Sequence, residues 1–178
     1  ASAGDSDLYF QLARDLVDHQ VYGIWLNGQL IPTDLRMPGY PAFLAGVTIV
    51  FRRSVRAISL SQVLVDLATC FLTAALAAAL APAAARRRVW LAGLCLAATC
   101  PFVANYSAVI LTEVLVAFLT TAALVCFVLG LRHIPTEFSL RISLRRLTPL
   151  SLALLGAFLT GVATLVRPEM PLLMATAV

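Results

Sequence analysis

The chain has 178 residues, of which 61% are hydrophobic and only 12% charged, with a formal net charge of +4 at pH 7. A soluble domain has about a quarter of its residues charged, so this composition leaves too little polar surface to cover a globule in water and points to the bilayer core as the main solvent. All the positive charge is arginine, gathered at the ends of apolar runs where loops meet lipid headgroups, and this excludes the single basic face of a nucleic-acid binder.

The chain opens at Ala1 and stops at Val178 inside an apolar run, as expected of a segment of a longer protein. Residues 5–20 predict an amphipathic helix. Leu8, Leu12 and Leu16 recur every four residues, Gln11, Arg14, Asp15 and Asp18 fall on the other side, and an N-cap aspartate opens it. Such a helix is too polar to span and is expected to lie in the membrane interface. Residues 21–37 are read as irregular, broken at Gly23, Asn27-Gly28 and Pro32. The apolar stretch Ala42–Phe51 is shorter than the roughly 20 residues a crossing needs, and reads as a second interfacial or re-entrant helix. Four longer apolar runs follow, over about 57–81, 89–106, 114–131 and 147–166, with a fifth beginning at Met170. The fold class expected is therefore all-α, a polytopic transmembrane helical protein with interfacial helices in its first external loop. Residues 1–56 form that extracytoplasmic loop, and 57–178 the spans of one membrane domain. Cys70, Cys95, Cys100 and Cys126 lie inside apolar runs without CxxC spacing and read as small buried hydrophobes.

Orientation follows from arginine. The triplet Arg86–Arg88 and the basic loop 132–146 share one side, which the positive-inside rule makes cytoplasmic. The N-terminal segment, the turn at 105–113 and Arg167 then fall on the opposite, extracytoplasmic face of a multi-pass plasma (inner) membrane protein. If Pro38–Phe51 crossed the bilayer instead, every later assignment would invert.

Three polar clusters are expected on the extracytoplasmic face. Asp5-Ser6-Asp7 holds two carboxylates that read either as helix caps or as chemistry. Arg36-Met37-Pro38-Gly39-Tyr40-Pro41 fixes the backbone around an arginine and a tyrosine, although a plain turn entering the membrane also explains its prolines. Thr112-Glu113 puts an acid between two apolar runs, which either marks the loop or faces a partner or a wet cavity. Asp66 and Glu169 read as interfacial polar residues. Two carboxylates and a guanidinium suit a reaction in which a hydroxyl loses a proton to a general base while a lipid phosphate departs against arginine.

The order Asp5-x-x-x-Tyr9-x-x-x-Ala13, a basic residue before Pro38-Gly39-Tyr40-Pro41, Thr112-Glu113 opening a span, and Gly161-x-x-x-Leu165-x-Arg167-Pro168 resembles the GT-C membrane glycosyltransferases. Within these it is most similar to the branch of the protein O-mannosyltransferases and the lipid A aminoarabinose transferase. The resemblance covers nearly the whole chain, from the first external loop through about four spans; it implies a further span before Asp5 and others after Val178. It implies a sugar moved from a polyprenyl-phosphate donor to a hydroxyl-bearing acceptor (lipid, glycan or protein), by a single inverting displacement on the extracytoplasmic side. Asp5 falls at the family's catalytic aspartate, Arg36 where the aminoarabinose transferase has a lysine near the donor phosphate, and Glu113 at an acidic position of the second external loop. Tyr9, Tyr40 and Arg167 join Arg36 and Glu113 as substrate-binding candidates. No cofactor is required, although Asp5-x-Asp7 admits Mg²⁺ or Mn²⁺ as an alternative. Competing functions are a transporter or flippase, which would favour inverted repeats and broken spans, and a non-catalytic membrane subunit.

Overall fold

The computed structural model describes residues 4–51, 54–100, 112–132 and 147–169, the side chains of Asp5, Leu147 and Thr148 excepted. The expected loop at 132–146 beyond Arg132, the turn at 105–111 and the run from Met170 lie outside the described residues.

Helix α1 spans Asp5–His19. Its N-cap is Gly4, whose carbonyl accepts from the Asp7 and Leu8 amides, so Asp5 is the first helical residue and not the cap. Gln20 ends the helix in the left-handed conformation, at φ 56°. The next segment departs from the expected irregular loop and from an all-α fold. Strands β1 (Gly23–Leu26) and β2 (Gln29–Pro32) pair antiparallel, Leu26 opposite Gln29. Asn27 and Gly28 connect them with φ of 49° and 79°, the positive pair that a two-residue hairpin turn demands and that Asn-Gly supplies at little cost.

Helix α2 covers Gly39–Val50 and is about 18 Å long at 1.5 Å per residue, short of a crossing as expected. The apolar face of α1 is taken up by α2, with Leu12, Ala13, Tyr40, Leu44 and Ala45 all buried. The amphipathic pattern of α1 thus serves at least its packing on α2. Helix α3 (Val55–Leu80) starts at Ser54, whose Oγ accepts from the Ala57 amide. Helix α4 (Arg86–Ala98) begins with the arginine triplet, not after it. At 13 residues it is shorter than the roughly 20 a crossing needs, and residues 101–106 of the span predicted over 89–106 lie outside the described residues. Helices α5 (Glu113–Arg132) and α6 (Leu147–Val166) complete the described fold.

Among the described residues three helices, α3, α5 and the segment Pro149–Val166 of α6, are long and apolar enough to cross a membrane. The helices pack in part through small residues, which let backbones approach. Gly93 of α4 faces Ala74 and Ala77 of α3, and Gly156 of α6 lies under the Phe127 ring of α5. One core joins the loop segment to the helices. It contains Ala13 of α1, Tyr40 and Leu44 of α2, Ile58 of α3, Val116 and Leu119 of α5, and Ala163 and Val166 of α6. The α1–hairpin–α2 unit therefore sits on the ends of α3, α5 and α6. Arg132 lies at the other end of α5, about 30 Å away for a 20-residue helix.

Candidate functional site

Glu113 and Arg167 come from the start of α5 and the residue after α6, so antiparallel packing brings them to the same end. An Arg167 guanidinium nitrogen stands 3.4 Å from Glu113 Oε1 and a second lies 4.0 Å from Glu169. Glu113 Oε2 is buried with no hydrogen-bond partner among the described residues. Thr112, also buried, gives its carbonyl to the Val116 amide and so starts α5.

The loop before α2 delivers Arg36 to the same place. Gly39 packs on the last turn of α6 so closely that a Cβ there would lie 2.7 Å from the Leu165 carbonyl oxygen. Only a glycine fits this approach, which is the physical content of the Pro-Gly-Tyr-Pro segment. Gly39→Ala is thus expected to lower thermal stability by about 1–3 kcal/mol through overpacking and to shift the Arg36 loop. Gly46→Ala, in open space on the same helix, should be neutral or stabilise by about 0.5–1 kcal/mol. Thermal unfolding of both variants in detergent checks the contrast; equal melting temperatures would remove the close-packing account.

Tyr22, which the sequence reading passed over, holds Arg36 from the other side. Its hydroxyl donates to the Arg36 carbonyl at 2.7 Å. Burial, then the neighbouring Tyr9, push its pKa up to about 12, against a smaller opposing pull from Arg36, so it remains a proton donor at neutral pH. The Arg36 guanidinium carbon sits 5.9 Å from the centre of the Tyr9 ring, within cation–π range. Tyr9, Asp34, Arg36, Thr112, Glu113, Arg167 and Glu169 thereby surround a cavity of about 350 Å³, inside the range of small-molecule sites, about 300–1,000 Å³. Comparison with family models, with curated proteins and with solved structures finds no match. Function has to be argued from the site itself.

Four of the predicted site residues, Tyr9, Arg36, Glu113 and Arg167, share this cavity. Tyr40 does not. It is 1% exposed, accepts a hydrogen bond from Gln62 Nε2 at 3.0 Å and meets the Tyr9 ring edge-on at 5.2 Å. Burial foremost, then Glu113 and Tyr9, raise its pKa. Tyr40 therefore supports Tyr9 from below the cavity and cannot touch a ligand there. Asp5 is the first residue of α1, one turn before Tyr9, and its side chain lies outside the described residues. Asp7 is exposed and lines a different cavity, on the polar side of α1. The alternative pairing of Asp5 with Asp7 around one ion therefore rests on a side chain outside the described residues. Glu169, read from sequence as an interfacial residue, belongs to the cavity wall.

Proposed function

We propose that this protein is an integral-membrane glycosyltransferase on the GT-C plan, which moves a sugar from a polyprenyl phosphate to a hydroxyl acceptor at the extracytoplasmic face. The observation that carries the reading is the meeting of Tyr9, Arg36, Glu113 and Arg167, from four separate stretches of chain, around one cavity at one end of the apolar helices. A lipid-linked donor needs such a place, where a polar head reaches charged groups while its tail stays in the bilayer. The distribution of arginine supports the orientation, because Arg132 marks the opposite end of α5 and Arg86–Arg88 follow the far end of α3.

In the proposed reaction, the acceptor hydroxyl gives its proton to Asp5 as its oxygen bonds to the anomeric carbon. The bond from that carbon to the phosphate oxygen breaks, and polyprenyl phosphate leaves with its new charge facing Arg36. Glu113 Oε2, buried and without a donor among the described residues, would accept a sugar hydroxyl, while its Oε1 is held by Arg167. The Arg167 charge is in turn offset by Glu113 and Glu169, and Arg36, held in the cavity wall beside the Tyr9 ring, is the residue the resemblance puts at the phosphate.

Incubating the purified full-length protein with a panel of polyprenyl-phosphate sugars and membrane acceptors tests this reading. Transfer is expected from one donor class, with the product's anomeric configuration opposite to the donor's. Absence of transfer from every donor, together with Glu113-dependent solute uptake into proteoliposomes, would establish the transporter reading instead.

A further inference from the structure

Away from the Arg36 cavity, the polar side of α1 carries a second one, of about 560 Å³. Asp7, Gln11, Asp15, Asp18 and His19 recur along one strip of the helix, and the hairpin brings Trp25 over its last turns. Amphipathic patterning predicts Asp15 in water, yet it is only 4% exposed. The Trp25 indole N–H donates to Asp15 Oδ1 at 3.1 Å, and Oδ2 is buried with no hydrogen-bond partner among the described residues. A carboxylate oxygen left in that state is costly, of order several kcal/mol in an apolar setting, unless a donor comes from outside the described residues.

The charges decide which donor. Three aspartates line the cavity together with two basic residues, His19 and Arg14, and the Arg14 guanidinium is turned over the Phe10 ring at 5.8 Å from its centre. A neutral ligand would gain nothing from this imbalance, and an anion would be repelled. A primary ammonium matches every element at once. It donates to Asp15 Oδ2, lies in the field of Asp7 and Asp18, and can approach the Trp25 ring, which is 48% exposed, by cation–π attraction. We propose that this cavity is a binding site for a primary alkylammonium group, anchored by Asp15 and Trp25 and separate from the Arg36 cavity. Such a group occurs on amine-bearing lipid headgroups and on soluble amines.

The test uses the protein in phosphatidylglycerol nanodiscs, which contain no amine, titrated with glucosamine and with glucose. The two probes differ at one position in ammonium for hydroxyl. Glucosamine is expected to bind at least about ten-fold more tightly than glucose, the scale of one charge-assisted bond with a cation–π contact. Asp15→Asn preserves the shape and an acceptor for Trp25 but should abolish the preference; Trp25→Leu should weaken glucosamine alone. Adding phosphatidylethanolamine to the discs separates the sources. Competition with glucosamine assigns the site to lipid headgroups, and an unchanged affinity assigns it to soluble amines. Equal affinities for glucosamine and glucose in the unaltered protein would overturn the proposal, as would an undiminished preference in a folded Asp15→Asn variant.

Discussion

Asp5→Asn is expected to reduce sugar transfer by about 10²-fold or more, the usual scale for the loss of a general base, with expression and melting temperature unchanged. The asparagine keeps size and polarity but cannot take a proton at neutral pH. Gly4, not Asp5, is the N-cap of α1, so the substitution leaves the cap itself in place. Residue 5 is the first position of α1, one turn before Tyr9, which lines the Arg36 cavity. Asp7→Asn is expected to do far less, because Asp7 faces the other cavity. The measurement is transfer rate against pH for the two variants, with and without added Mg²⁺ or Mn²⁺. Equal losses for both, restored by a divalent ion, would replace the base with a metal pair.

Hydropathy made the large features legible, because a bilayer forces each crossing to be long, apolar and helical. The limits of α3, α5 and α6 fall within a few residues of the runs seen in the sequence. Local turn chemistry was legible in principle and under-read. Asn27-Gly28 marks a hairpin turn, but the four-residue strands beside it are too short to show clear alternation. What the sequence could not show was which partners the special residues meet. Gly39 announces close packing without naming Leu165 of α6 as the neighbour. Tyr40 stands in a motif with Arg36, yet helical phase turns it into the core against Gln62. Asp15 belongs to the polar face of α1, but Trp25 from the hairpin covers it. In each case a contact distant in sequence decided the role, and periodicity carries no record of such contacts.

The second large effect is expected at Arg36. Three contacts fix its position: Tyr22 donates to its carbonyl, the Tyr9 ring lies beside its guanidinium, and Gly39 seats the following turn on α6. A charge held in place before the phosphate departs costs no reorganisation when negative charge develops, and this is what makes electrostatic stabilisation effective. In the proposed setting, at the end of bilayer-spanning helices, the local dielectric is lower and a guanidinium–phosphate bond stronger than in bulk water. Arg36→Ala should therefore raise the half-saturating donor concentration and lower the maximal rate together, at a combined cost of about 2–4 kcal/mol in transition-state stabilisation. Arg36→Lys should recover part of this loss, since the charge survives while the two-pronged geometry does not. Arg56→Ala, on the exposed first turn of α3, should change little. Arg167→Ala should act differently: it releases Glu113 from its ion pair, so its main effect is expected in donor binding and less in the maximal rate. Turnover measured against donor concentration in nanodiscs separates the four variants. Near-normal kinetics for Arg36→Ala beside a crippled Arg167→Ala would move the phosphate to the end of α6 and Arg36 out of the reaction.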